Sequence, residues 1–450
     1  MRLRRLAPVV ALAVLAVPLA RAGAAGVVPD PVDCVSPAGD PLPGTQAWQQ
    51  RDQANQWCAT QRQQDEWSNE SAGQAGAENT AALYPAQVLS QASEPDRPRT
   101  GFAQWIPGAT SGDPYRTPAR WTAAGRGRVD DISFISSDGA KLNGHVFRPP
   151  AALAGPASLP GVVITTGSIQ GYQELYFWAA EGLAEAGYEV MTYDVQGQGQ
   201  SETFPHDPPC DPTGTCTGVP FQQNYNFFQG TRDALNWFFS PANPGLADLD
   251  TARVGIAGHS LGAQAVSQVG QEDSRVHAIV AWDNLSAVSP GTPLHAPALG
   301  INAEYFFNPQ AMQSPPDPDA KDGAFHALKA AGIDTMQVAL RSSTHLEFSY
   351  VPYILPASRL GERVAFSYTL AWFDKYLKGS PDALARLQAT AFDSSSDVHS
   401  IGAGTWDPNS GNVPYKIAGL SVPDRLSFYY RSGYWLDGGA EQCADMRAGC

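Results

Sequence analysis

Among 450 residues there is no basic cluster, and beyond the extreme N-terminus no apolar run is long enough to cross a bilayer. The 29 lysines and arginines are outnumbered by 44 acidic residues, giving a formal net charge of −15. Nucleic acids and anionic membrane surfaces select the opposite balance, so neither is expected as a partner. Cysteine is scarce, at six residues, and no Cys/His cluster has zinc-site spacing. The glycine-rich turn Asp194-Val-Gln-Gly-Gln-Gly-Gln-Ser201 lacks the lysine of a phosphate loop and the spacing of a dinucleotide fingerprint, so it reads as a structural turn. Neither a metal nor an organic cofactor is expected.

The N-terminus is the exception to the missing apolar run. Met1-Arg-Leu-Arg-Arg5 is basic, Leu6 to Leu19 is apolar, and Ala20-Arg-Ala22 offers small residues for cleavage before Gly23. Residues 1–22 therefore read as a secretory signal peptide. A lipid anchor would need a cysteine directly after the cleavage site, and the nearest is Cys34. The expected location is extracellular, where cysteines pair. Their spacing suggests Cys34 with Cys58, Cys210 with Cys216, and Cys443 with Cys450.

Residues 23–127 form an N-terminal extension without catalytic groups. Trp48 to Trp57 can make a helix with its tryptophans on one side, and Pro95 to Pro118 reads as an extended wrapping segment. From Arg128 the texture changes. A hairpin, with Ser137-Asp-Gly139 as its turn, precedes strands at Gly161 to Thr166, Glu189 to Tyr193, Arg253 to Ala257, His277 to Trp282, Pro297 to Ala303 and Thr335 to Leu340. Helical patterns fall at Glu174 to Ala186, Phe227 to Phe239, Ala263 to Val269 and Leu360 to Leu377. Such alternation predicts an α/β domain over 128–379, with a mainly parallel central sheet covered by helices on both faces. Residues 380–450 carry no readable chemistry, and their aromatics are expected to pack; carbohydrate binding is the alternative.

Gly258-His-Ser-Leu-Gly262 lies between a buried strand and a small-residue helix start. Strand, Gly-x-Ser-x-Gly and helix in that order make a nucleophile elbow, whose turn is too tight for a Cβ on either side of the serine. Ser260 is the candidate nucleophile. Its hydroxyl needs a base, and His345, in Ser342-Ser-Thr-His345 after the last strand of the series, is best situated among eight histidines. His259 is expected to be structural. Asp283 and Glu304 both end parallel strands, where ligands bind, and local sequence physics does not choose between them as the triad acid.

These stretches resemble the α/β-hydrolase superfamily. Within it, residues 161–350 are similar to the platelet-activating-factor acetylhydrolases and, more loosely, to bacterial cutinase-like polyester hydrolases. The similar segments are Gly258-His-Ser-Leu-Gly262, Glu272-Asp-Ser-Arg275, Ala281-Trp-Asp283, Ile301-Asn-Ala-Glu-Tyr-Phe306 and Leu340-Arg-Ser-Ser-Thr-His345. The resemblance implies Asp283 as the acid, with Glu304 retained as the alternative, because other hydrolases of the fold place the acid one strand later. It implies an oxyanion hole from the amides of Leu261 and Ser168, with Ile169 the neighbouring candidate. Asp194 to Ser201 resembles the superfamily's Asp-x-Arg-Gly-x-Gly-x-Ser turn, with Gln196 replacing the arginine.

The expectation is a secreted, monomeric serine hydrolase that cleaves carboxylic esters of a small molecule, lipid or polyester through an acyl-enzyme. Acyl transfer or peptide cleavage would use the same residues. A non-catalytic binding protein on a hydrolase scaffold is the contrasting reading, prompted by the Trp-rich extension and the unassigned tail.

Overall fold

The computed structural model describes residues 41–66, 118–153, 155–156, 158–168, 172–202, 224–306, 308–349, 359–393 and 417–450. The leader, Cys34, Cys210, Cys216, Ile169 and most of the proline-punctuated stretch lie outside the described residues. In chain order the strands are β1 (Arg128–Ile135), β2 (Lys141–Arg148), β3 (Leu159–Thr165), β4 (Glu189–Tyr193), β5 (Leu249–His259), β6 (Val276–Trp282), β7 (Ala298–Tyr305), β8 (Thr335–Thr344), β9 (Gly433–Leu436) and β10 (Glu441–Cys443). The α-helices are α1 (Gln46–Glu66), α2 (Pro118–Ala123), α3 (Phe177–Glu185), α4 (Asn224–Phe238), α5 (Leu261–Glu272), α6 (Gly323–Ala330), α7 (Arg359–Phe373) and α8 (Ala383–Leu387).

All ten strands join one sheet in the order β1-β2-β4-β3-β5-β6-β7-β8-β9-β10. Strands β3 to β8 run parallel to one another. An antiparallel pair closes each edge, β1 with β2 beside β4 and β9 with β10 beside β8. Every residue of β3, β4, β7 and β8 is buried. Strands covered on both faces have no solvent side, so β3, Leu159–Thr165, reads as a near-continuous apolar run rather than an alternating one.

The pleat divides each strand between two cores. Val162 and Ile164 of β3 face one hydrophobic cluster, while Val163 between them faces the other. Val280 of β6 is likewise separated from Ile279 and Ala281. Helices α3 and α7 cover the first face, and α4, α5 and α6 the second. Where α3 crosses α7 there is no room for a side chain: a Cβ on Gly182 would lie 2.6 Å from the Phe366 ring. This mixed open sheet between helical layers is the α/β architecture, mainly parallel and covered on both faces, expected from the strand and helix series.

Several elements differ from the sequence reading. The helix expected at Glu174 begins as a 3-10 turn, Gln173–Tyr176, because the Asp194 carboxylate takes the Gln173 amide at 2.9 Å. Strand β8 runs on to Thr344, since after a register shift Tyr305 pairs with Thr344, and His345 opens a 3-10 turn instead of lying in an open loop. The tryptophans of α1 do not share a side: Trp48 is 3 % exposed and Trp57 56 %. Nine residues are about two and a half helical turns, which sets them on opposite faces. The C-terminal segment, for its part, supplies β9 and β10 to the sheet and the bonded pair Cys443 and Cys450. Cys58 is also disulfide-bonded.

Helix α1 is fastened to the ends of β7 and β8 by one asparagine. Asn55 Nδ2 donates to Glu304 Oε2 at 2.5 Å and to Tyr305 Oη at 3.0 Å. Its Oδ1 accepts from Arg341 Nε at 3.1 Å and Ser342 Oγ at 2.6 Å. That uses all the donors and acceptors a side-chain amide has. Asp52 accepts from Tyr429 Oη at 2.7 Å and the Met312 amide at 2.9 Å, and the Arg51 guanidinium lies over Phe428. The N-terminal and C-terminal segments thus meet beside β7. Asn55→Ala is expected to cost about 1–3 kcal/mol, because it takes one hydrogen-bond partner from each of the buried Glu304 and Arg341 side chains. Urea unfolding of the two proteins measures this, and a difference under about half a kcal/mol would mean that α1 adds little to the fold.

Candidate active site

Strand β5 delivers the chain into the Gly-x-Ser-x-Gly turn and α5 takes it away. Ser260 sits between them with φ 57° and ψ −121°, a conformation that side chains other than glycine rarely adopt. The turn survives because its surroundings admit nothing else. A Cβ on Gly258 would lie 2.5 Å from the Gly262 carbonyl oxygen, and one on Gly262 would overlap the carbonyls of Thr165 and Thr166 at the end of β3. The Ser260 amide is fixed by the Trp282 carbonyl of β6 at 3.1 Å.

His345 bridges the serine to an acid. Its Nε2 is 2.9 Å from Ser260 Oγ and its Nδ1 is 2.6 Å from Asp283 Oδ2. A carboxylate can only accept, so the Nδ1 proton goes to Asp283 and Nε2 is left to accept from the serine hydroxyl. Asp283 follows β6 with φ 38°. Its Oδ1 accepts the Ala303 amide of β7 at 3.2 Å and lies 3.8 Å from Lys321 Nζ. Burial alone would raise the Asp283 pKa; the His345 hydrogen bond, the Lys321 charge and the Ala303 amide outweigh it and hold the carboxyl below its usual range.

Glu304, the other candidate acid, is turned elsewhere. Its Oε2 accepts from Asn55 and, at 2.7 Å, from the Ser342 amide, while its Oε1 takes the Phe428 amide at 3.2 Å. Those partners belong to α1, β8 and the C-terminal segment. Its carboxylate joins the three and makes no hydrogen bond to His345 among those described.

The loop after β3 lies against the elbow: a Cβ on Gly167 would be 3.1 Å from Ser260 Cβ. The Gly167 amide is already bonded to Tyr176 Oη at 2.9 Å, and its carbonyl accepts from Gln198 Nε2 at 2.9 Å. Ser168 follows and is partly exposed, as are Leu261 and Ser260. The Asp194 to Ser201 turn holds Gln198 in reach. Asp194 Oδ2 accepts the Gln200 amide at 2.7 Å, the Asp194 carbonyl takes Ser201 Oγ at 2.6 Å, and Gly199, at φ 51°, has no space for a Cβ against that carboxylate.

His259 connects this loop with His345. Its Nε2 bonds the His345 carbonyl at 2.9 Å and its Nδ1 bonds Tyr176 Oη at 2.8 Å. Burial, reinforced by the neighbouring His345, holds the His259 pKa well below the ordinary histidine value, and burial keeps the Tyr176 phenol protonated. The carbonyl can only accept, so neutral His259 donates from Nε2 and accepts the Tyr176 proton at Nδ1. One line of hydrogen bonds runs Gly167 amide, Tyr176, His259, His345 carbonyl. The sequence reading took His259 as structural and overlooked Tyr176, Gln198 and Lys321. Only Gln198 carried a signal, through its turn.

No protein-family profile matches the chain, and no curated protein matches it in sequence. Among solved structures it is similar to a ferulic acid esterase from Streptomyces cinnamoneus. The two are 19% identical with a TM-score of 0.42, over 57% of this chain and 91% of that one. No helix among the described residues is long and apolar enough to cross a membrane, and no group of metal-binding side chains occurs among them.

Gly262→Ala would stabilise an ordinary helix; here overlap with the Thr165 and Thr166 carbonyls is expected to cost about 1–3 kcal/mol instead. A lowered melting temperature checks this, and a raised one would remove the packing argument.

Stability should also fall with acid. Below the ordinary histidine value of 6.5 the unfolded chain takes up a proton at residue 259 that the folded chain refuses. The slope from this residue is up to about 1.4 kcal/mol per pH unit. His259→Gln is expected to flatten the urea-derived stability curve between about pH 6.5 and 5. An unchanged slope would remove His259 as the cause.

Proposed function

We propose that the protein is a secreted serine hydrolase of carboxylic esters. The observation that carries the reading is the single imidazole held between Ser260 Oγ and Asp283 Oδ2. Ser260 Oγ attacks the ester carbonyl carbon while its proton passes to His345 Nε2. Asp283, ionised throughout, keeps the ring in the reactive tautomer and stabilises the imidazolium. The amides of Leu261 and Ser168 stabilise the oxyanion; the commitment of the Gly167 amide to Tyr176 supports Ser168 as the second donor. Collapse expels the alcohol, which takes the proton from His345. Water, deprotonated by the same nitrogen, then attacks the acyl-enzyme and releases the acid. The chemistry requires no metal or cofactor, and one chain supplies every group.

The leader-like N-terminus and the disulfide-bonded Cys58, Cys443 and Cys450 support export. A small-molecule, lipid or polyester ester suits the partly exposed Ser260 and the Phe306 ring, which is 66 % exposed and centred 5.1 Å from the His345 ring.

A fluorophosphonate probe is expected to label wild type at Ser260 and to leave Ser260→Ala unlabelled. In a p-nitrophenyl ester chain-length series, Ser260→Ala should lose about 10⁶-fold in kcat and Asp283→Asn about 10⁴-fold. Glu304→Gln should stay within several-fold of wild type below its melting temperature. Near-normal turnover in Asp283→Asn with collapse in Glu304→Gln would exchange the two carboxylates. Unlabelled wild type would sink the enzymatic reading altogether.

A further inference from the structure

Behind the acid lies a cation that the reaction as proposed above does not use. Lys321, in the irregular segment before α6, has its Nζ 3.8 Å from Asp283 Oδ1, the oxygen turned away from His345. The same ammonium donates to the Ala303 carbonyl and lies 4.7 Å from the centre of the Tyr430 ring. The segment carrying it is tied to the C-terminal segment. Arg431 Nη1 pairs with Asp319 at 2.6 Å, and the Arg431 amide donates to the Pro318 carbonyl at 3.0 Å. Tyr430, Arg431 and Lys321 therefore hold one another beside β7.

We propose that Lys321 is a positioning residue of the hydrolytic site, fixing Asp283 as a carboxylate from the side opposite His345, and that the C-terminal segment serves to keep it there. The inference rests on the Ser260, His345 and Asp283 reading. Its physics is Coulombic. A positive charge on the far carboxylate oxygen opposes the arrival of a proton on either Asp283 or the imidazole it holds. The other titratable groups near the pair are few. His259 of β5 is neutral and lies against His345, with ring centroids 4.5 Å apart and the planes tilted by 37°. Tyr430 keeps its proton, because burial and the charges of Glu304 and Asp283 all oppose ionisation. Glu304 of β7 faces Asn55, and Asp322, beside Lys321, faces His326 at 3.1 Å. Among the described residues, Lys321 is the lysine or arginine paired with Asp283.

Neutralising Lys321 should move the acid limb of the kcat/KM profile on a p-nitrophenyl ester to higher pH by roughly half to one unit. Lys321→Met is the test variant, and Lys321→Arg, which keeps the charge, should return the limb to within about 0.2 unit of wild type. A packing role alone would lower kcat at every pH in both variants and leave the limb in place. Should Lys321→Met not fold, Lys321→Gln keeps a polar side chain there and removes the charge. Tyr430→Leu, which loosens the clamp, is expected to shift the limb in the same direction by a smaller amount. An unmoved acid limb in folded, uncharged variants overturns the proposal. Failure of the underlying reading is separate, since it appears as wild type that the fluorophosphonate probe does not label.

Discussion

The site depends on a turn that has no space for itself. Ser260 is held at a positive φ, at a conformational cost of about 1–3 kcal/mol, because β5 and α5 must meet directly beneath the end of β3. Gly258 and Gly262 permit the approach by lacking side chains. The same closeness brings Gly167, and with it the loop after β3, against Ser260. The geometry is thus a by-product of sheet packing: the helix cannot relax without separating two buried strands.

A second layer of contacts holds the groups around that turn. Tyr176 and His259 link the Gly167 amide to the His345 carbonyl, so the loop and His345 are set relative to one another by neutral, buried hydrogen bonds. Gln198 does the same for the Gly167 carbonyl from the opposite turn. Because every partner in this line is buried, removing one leaves another unsatisfied, and the arrangement resists partial adjustment. On the acid side the supports are charged rather than neutral. Asp283 sits between an imidazole and an ammonium, with the Ala303 amide completing its shell.

Much of the fold was legible because its signals are local. Apolar β-branched runs such as Gly161 to Thr165 mark strands buried on both faces, and the helix patterns between them mark the crossovers. The elbow was legible for the same reason: two glycines at fixed spacing about one serine report a backbone constraint within five residues. The spread of α1 tryptophans over two faces was misread, since a stretch of Gln and Trp gives no clear apolar stripe from which to count turns. The extension of β8 to Thr344 was missed because it depends on a register shift against β7 that neither strand encodes alone.

What the chain by itself determined is the order of elements and the identity of Ser260 and His345 as candidates, since each follows from neighbours in sequence. Which carboxylate meets His345 was decided only in three dimensions. Asp283 and Glu304 both belong to strand ends, but Asp283 turns toward the imidazole through a positive φ, whereas Glu304 is claimed by Asn55, Ser342 and Phe428, from parts of the chain far apart in sequence. Lys321 is likewise invisible in the sequence. It lies in an irregular segment, and its meaning comes from electrostatic contact with a residue just past the end of β6, a relation that only the packed sheet creates.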